Sequence, residues 1–494
     1  MRWDLIQGKI TLMLLDLVIG LHYFVICVLM VAGAVEAVWG LLQVYGYVPS
    51  NHSLYALTGS FYNPGPYSGF LALCLPVALH ESLRGERFLK PLAWVSLILM
   101  LVVLPSGMSR TAWLAALVSS VYVLAMFYRR KLRPFVRKHW KTLVGIGLLI
   151  GLLGVGTYYW KKDSADGRLL MWKVASQAVM EHPWQGVGWA NVAGAYGEAQ
   201  ERYFASGKGT ELEKHVADAP EFMFNEYIQI TLAWGFPVMM LYLVFFIGGF
   251  YGLCCNWSWG LSGALLSFAI FSLASYPFQF VEFQIVLFLL VSFGWICLVM
   301  DNLCLGRKAK GIAAIMMLLV LWGMSYGIGR EVYDCKLADK QFERASMLYR
   351  MGAYEEAVDA YEAYRENMAG NARNLFGYGH ALHRLERHAA SSEVLRKALK
   401  VSSDPMILNI IGKNCQALGK YKEAEEWFTR SAYRVPNRIY PYYLLAKLYA
   451  EHPEVFPKEK LEEAARMVLE KEAKVESTAI REMREEVKDI MQKK

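Results

Sequence analysis

The sequence predicts an all-α chain in two parts. A polytopic transmembrane helical domain of about nine spans fills residues 1–330, and an α-solenoid fills 331–494. Three observations predict this. Of 494 residues, 55% are hydrophobic and 14% aromatic, above the apolar share of ordinary soluble domains. The apolar residues gather in runs before residue 330, and the rest of the chain is charged. That charged part repeats: "RMGAYEEA" (350–357), "RLERHAAS" (384–391) and "ALGKYKEA" (417–424) align at offsets of 34 and 33 residues.

A spanning helix needs about 20 mostly apolar residues. Runs near that length cover 21–46, 66–83, 89–105, 109–128, 142–160, 224–252, 259–276, 278–302 and 310–329. The opening "MRWDLIQGKI" has no small-residue cleavage site and leads into a long apolar stretch, so the first span is expected to be retained. Three loops are basic: "RRKLRPFVRKHWK" (129–141), with seven Lys/Arg and no acid, "RGERFLK" (84–90) and "GRKAK" (306–310). The positive-inside rule places all three in the cytoplasm. An inside N-terminus satisfies them together. It leaves 47–65, 105–109, the large loop 161–223 and 275–279 on the outer face, with the solenoid outside too. The net charge of +8 is then a topology signal, and no nucleic-acid partner is expected. Six of the cysteines (Cys27, Cys74, Cys254, Cys255, Cys297, Cys304) lie in or beside spans. No CxxC or Cys/His spacing suggests a metal, and no cofactor is expected.

Outward arginines run against the positive-inside bias. Arg110, in "SGMSRTAWLAAL", sits at the outer mouth of the fourth span, either as a snorkelling anchor or as part of an anion site. Arg168 opens "GRLLMWKVASQAVMEHPWQGVGW" (167–189). Ser164 or Asp166 can cap a helix there, which puts Arg168 in the first turn, where free N–H groups and a cation make an anion receiver. Leu169, Leu170, Trp172, Val174, Ala175, Ala178 and Val179 form an apolar stripe, expected to dock on the membrane domain or lie at the lipid interface. Pro183 and Gly186 end that helix, and "GVGW" supplies a tight return. Further on, His215, Asp218, Glu221 and Glu226 lie just outside the sixth span. Histidine exchanges protons near neutrality, and a carboxylate at a membrane edge can act as a base. In "GSFYNPGPYSGFLALCLPVAL" (59–79), Asn63-Pro64 and Gly65-Pro66 are turn chemistry at a span entrance.

In chain order, "GLLQVYG" (40–46), "GSFYNPGPYSGFLALCLPVAL", "SGMSRTAWLAAL", "GRLLMWKVASQAVMEHPWQGVGW" and "FNEYIQITLAWG" resemble the O-antigen ligase family over residues 21–300. That group includes O-antigen ligases, O-antigen polymerases and protein O-oligosaccharyltransferases. The resemblance implies a metal-independent glycosyltransferase of the bacterial inner (cytoplasmic) membrane. It would move a glycan from undecaprenyl diphosphate to an acceptor hydroxyl, on lipid A-core, another glycan or a protein, at the periplasmic face. Membrane lipids surround it and the prenyl chain lies along apolar helix faces. The family's arginines fall on Arg110 and Arg168, both implied to bind the diphosphate, and the loop that carries Arg168 would be a lid over it. The P-x-x-G-x-G turn falls on Pro183, Gly186 and Gly188, and Asn63-Pro64 supports the span entrance. Asn225, Tyr227 and Gln229 match the family's "H-N-x-Y-L-Q". Its histidine position holds Phe224, and Trp234 replaces an acid before the later glycine. The catalytic set implied is therefore His215 or Glu226 as base, with Arg168 on the leaving group. A non-catalytic membrane scaffold is the alternative of another class.

The tail resembles tetratricopeptide repeats, 34-residue helix pairs that stack because one pair cannot bury its apolar face. Gly352 and Gly419 fit the small-residue turn, and Glu386 stands there in the middle copy. A protein partner is expected on the array. The segment from "LEEAARMVLE" (461–470) to Lys494 is expected to be one charged helix closing the stack.

Overall fold

The structure is a computed structural model that describes residues 2–132, 134, 137–139, 141, 162–302, 340, 342–363 and 370–493, with 2–17 and 300–302 by backbone only. Among the described residues it is helical, with no strand. Five helices among the described residues are long and apolar enough to cross a membrane: Val18–Val44, Lys90–Gly107, Arg110–Phe127, Glu226–Cys255 and Val281–Val299. Two more expected spans correspond to the helix Pro64–Arg84 and the shorter apolar Trp259–Ser272. The expected spans 142–160 and 310–329 lie outside the described residues.

The chain packs as two compact units. The first draws on Met1–Leu153, Phe224–Tyr227 and Met239–Val332, the second on Gly154–Met223, Ile228–Val238 and Tyr333–Lys494. Polarity divides the sequence near residue 330, but packing groups the large polar loop with the repeats.

The first unit begins with α1 (Arg2–Val44), α2 (Pro64–Arg84), α3 (Lys90–Val103) and α4 (Arg110–Phe127). Helix α2 is its axis, with 16 of its 21 residues buried and α1, α3 and α4 packed around it. Proline at position 76 should break α2, because it cannot donate to the carbonyl of Ala72. Ser267 repairs the break: its hydroxyl donates to that carbonyl at 2.7 Å. An apolar environment offers no water for this purpose, so a neighbouring helix must supply the donor.

Along the chain come α5 (Lys162–Glu181), α6 (Val192–Ala205) and α7 (Glu211–Val216) of the second unit, then α8 (Glu226–Cys255), α9 (Trp259–Ser272) and α10 (Val281–Asn302). Helix α9 carries Ser267 and packs on α2 and α4. The later part of α8 crosses α10 backbone to backbone, since a Cβ on Gly294 would lie 2.0 Å from the Gly249 carbonyl oxygen. Small residues at such crossings let helices meet without a hydrophobic driving force from water.

The repeats comprise a helical stretch at 342–350, then α11 (Tyr354–Glu362), α12 (Ala372–Arg384), α13 (His388–Val401), α14 (Pro405–Ala417), α15 (Tyr421–Arg434), α16 (Tyr440–Glu451), α17 (Lys458–Glu470) and α18 (Thr478–Gln492). The expected single closing helix is therefore two. Helix α17 pairs with α16 and buries Leu461, Ala464, Ala465 and Val468, and α18 starts anew behind a Ser477 cap. The three aligned turns share one backbone state, with φ of +80° at Gly352, +59° at Glu386 and +73° at Gly419.

The loop helices and the repeats are joined by polar bonds. Helix α6 packs on α13 and α15. Glu201 of α6 accepts from the buried Arg434 at 2.9 Å and from Arg430. Asn437 donates to the carbonyls of His215 and Ala217 at 2.8 and 2.7 Å, and Ser403 donates to that of Pro220 at 2.8 Å.

Candidate active site

In the first unit, the loop before α2 is held by two side chains of α1. Buried Gln43 accepts from the backbone N–H of Thr58 and Gly59 at 2.9 and 2.7 Å, and Glu36 accepts from Ser60 N at 3.1 Å. Asn63 caps α2 by accepting from Gly65 N at 2.9 Å. Pro64 and Pro66 come next, at positions that need no N–H donor. The α3–α4 turn rests on this start: a Cβ on Gly107 would meet Ser68 Oγ at 1.9 Å and lie 3.6 Å from the Pro64 carbonyl. Met108 (φ +48°) then reverses the chain, Ser109 caps α4, and Arg110 is its first residue, half-buried. Asn63, Pro64 and Arg110 are thus gathered at adjoining helix starts. Gln43 explains why "GLLQVYG" belongs with the other motifs, a role that spacing did not suggest.

Elsewhere in this unit, Phe224 stands at the position where the resemblance expects histidine. It is left-handed (φ +48°) and meets Tyr276 edge-on at 4.8 Å. Glu226 is 1% exposed, and its Oε1 accepts from Phe278 N at 2.8 Å. Tyr227 donates to the Ala269 carbonyl at 3.0 Å.

In the second unit, α5 already runs from Lys162, so Arg168 lies in its second turn. The expected cap at Ser164 or Asp166 does not form, because nothing in "KDSADG" stops the helix, and the first-turn anion receiver expected at Arg168 is lost with it. Its apolar stripe packs on α6 and α7, with Leu170, Met171, Val174, Ala175, Ala178 and Val179 buried and Leu169 54% exposed. Trp172 donates to the Met223 carbonyl at 3.1 Å. A Cβ on Gly167 would lie 3.6 Å from the Val216 carbonyl oxygen, so the residue before Arg168 packs on the residue after His215. His215 is exposed on α7. That short helix has a capping box at Thr210 and Glu213. Burial pushes the Glu213 carboxyl up, but bonds from Lys173, Thr210 N and Tyr203 outweigh it and hold it at about 2. Asp218 and Glu221 are exposed on the next loop.

The Pro/Gly turn has a definite partner. Helix α8 breaks at Gly235 (φ +79°, ψ 173°), and Pro237 has no N–H for the Ala233 carbonyl. The turn supplies what the break removes: Val187 N and Gly188 N donate to the carbonyls of Leu232 and Ala233 at 2.9 and 2.8 Å. In return, Phe236 N donates to the Pro183 carbonyl at 2.8 Å. The approach admits no side chain. A Cβ on Gly186 would lie 2.4 Å from the Ala233 backbone, and one on Gly235 would lie 2.3 Å from the Trp184 carbonyl oxygen. Trp189 and Trp234 stack over the joint at 5.1 Å. Gln229 accepts from Met223 N at 2.9 Å and ties the start of α8 to the preceding loop. Asn225 is half-buried a few residues earlier. The glycine pair 186/235 and Pro237 form a unit that the sequence motif showed only by half.

Residues 95–243 match the family described as O-Antigen ligase. That stretch, under a third of the chain, is similar to an O-antigen ligase domain. It contains Arg110, Arg168, the Pro/Gly turn and the break in α8, whereas Gln43 and Asn63 precede the matched stretch. It supports an O-antigen ligase/polymerase-like membrane glycosyltransferase, a multi-pass membrane protein whose family implies glycan donors and acceptors. Residues 372–405 match a tetratricopeptide repeat, which suggests protein interaction. The matched repeat is the middle copy, whose turn carries Glu386 in place of glycine. No curated protein matches the chain.

Proposed function

We propose that the protein transfers a glycan from undecaprenyl diphosphate to an acceptor hydroxyl of lipid A-core or another glycan, at the periplasmic face of the bacterial inner membrane. The match of residues 95–243 to the O-Antigen ligase family carries this reading, since that stretch holds both candidate arginines. A diphosphate leaving group gains negative charge as its glycosidic bond breaks. Guanidinium groups answer that charge bidentately and stay protonated, a task that a divalent cation performs in metal-dependent transferases. Arg110 and Arg168 are assigned to the diphosphate. Glu226 is assigned as base ahead of His215, because its buried carboxylate keeps one oxygen, Oε2, without a hydrogen-bond partner among the described residues.

The test is glycan profiling of a deletion strain complemented with Arg110→Ala or Arg168→Ala. Each variant should abolish transfer while the protein still inserts and folds; unchanged surface glycan in both would end the enzyme reading. Profiling lipopolysaccharide and glycoproteins side by side separates lipid A-core ligation from polymerisation and from protein O-oligosaccharyl transfer. Phe224 at the expected histidine position favours a second reading, a scaffold that recruits partners through its repeats. That reading predicts full activity of the pathway with both arginines removed.

A further inference from the structure

Six polar side-chain atoms of the first unit are buried with no hydrogen-bond partner among the described residues; His80 Nε2 and Ser96 Oγ lie on α2 and α3, and the other four are Glu226 Oε2, Tyr242 OH, Ser272 Oγ and Gln279 Nε2. Those four are linked through their neighbours. Glu226 is tied through Oε1 to Phe278 N, and Gln279 is the next residue. The Tyr242 ring lies 6.0 Å from that of Phe278 and 6.5 Å from that of Tyr227, the two residues that flank Glu226 by bond and by chain. Tyr227 in turn donates to the Ala269 carbonyl, in the last turns of α9, which ends at Ser272. One orphaned buried group is ordinary. Four together are costly, at about 1–3 kcal/mol each, and call for a partner.

We propose that this cluster is the acceptor subsite and takes a neutral, hydroxyl-rich ligand, a sugar of the acceptor. The inference rests on the glycan-transfer reading and assigns residues to its acceptor side. A sugar hydroxyl donates to Glu226 Oε2, and neighbouring sugar oxygens accept from Tyr242 OH and Gln279 Nε2. The donor set suits neither half of the glycan donor. A diphosphate would meet a carboxylate of like charge, and a prenyl chain would leave every orphan unpaired. In the transfer step the acceptor hydroxyl gives its proton to Glu226 Oε2 while its oxygen bonds to the anomeric carbon. The bond from that carbon to the diphosphate oxygen breaks, and the electron pair leaves on the phosphate.

Tyr242→Phe tests this, because it removes one oxygen and keeps the ring. The full-length protein in detergent is probed by saturation-transfer NMR with core oligosaccharide released from the host's lipopolysaccharide. Fluorescence titration with undecaprenyl diphosphate and the transfer assay are run alongside. The variant should weaken oligosaccharide binding and raise the acceptor KM by about tenfold. Donor titration should be unchanged and the melting temperature unchanged or higher. Oligosaccharide affinity and acceptor KM within about twofold of wild type would overturn the proposal. So would failure of the wild-type protein to bind the oligosaccharide at all, whatever its activity. Binding that depends on Tyr242 in a protein that transfers nothing would sustain the subsite and defeat the glycan-transfer reading.

Discussion

Glu386 holds a left-handed backbone (φ +59°) at the turn where the flanking repeats use glycine. That state costs an L-residue about 1–2 kcal/mol, and glycine adds about 0.4–1 kcal/mol of unfolded-state freedom. Glu386→Gly should therefore raise stability by up to about 1 kcal/mol, read as a higher urea midpoint of the full-length protein. A lower midpoint would mean that the Glu386 side chain makes a contribution beyond its turn. The middle repeat departs from glycine at its turn and yet matches the repeat family. Its helices carry the pattern, with Leu375, Ala381, Leu382, Leu395 and Ala398 buried at helical spacing. A single strained turn residue is tolerated because the packing on both sides determines the backbone there.

Among elements, the joint between the Pro/Gly turn and the break in α8 governs the entrance to that helix. Each side leaves backbone groups that only the other satisfies, so neither forms alone. Gly235→Ala places a Cβ 2.3 Å from the Trp184 carbonyl oxygen and forces a positive φ on alanine. The expected result is a loss of about 2–4 kcal/mol, or failure to assemble the joint. Amide exchange at Val187, Gly188 and Phe236 reads this directly. Exchange as slow as in the wild type would show that the joint relaxes around the methyl.

At the scale of the whole molecule, the repeats bind a segment of their own chain. Helix α6 lies between α5, which carries Arg168, and the repeat helices α13 and α15. Arg434 is 0% exposed and pairs with Glu201. Removing the acid strands a buried guanidinium, which typically costs about 3–5 kcal/mol, whereas replacing both partners by apolar residues is nearly neutral. Glu201→Ala should lower the denaturation midpoint, and Glu201→Leu with Arg434→Met should restore most of it. A double variant as unstable as the single one would show that the contact depends on the charges themselves. Under the glycan-transfer reading, the repeats thus brace the arginine-bearing loop, in addition to any partner on their other faces.

The sequence by itself determined the all-α class, the apolar helices, the 34-residue repeat and the likeness of one stretch to the O-Antigen ligase family. Each is local: apolar run length, repeat offset and motif order need no knowledge of distant contacts. Tertiary structure alone decided what the motifs hold on to. Gln43 gains its role only once Thr58 and Gly59 fold back on it, and Gly186 only against Ala233. Arg168 moved from the first turn to the second because no residue before it stops the helix. The loop's allegiance to the repeats rests on Glu201 and Arg434, 233 residues apart. Pairings at such separation leave no period in the sequence, because they are selected by packing and by the cost of leaving buried polar groups unpaired.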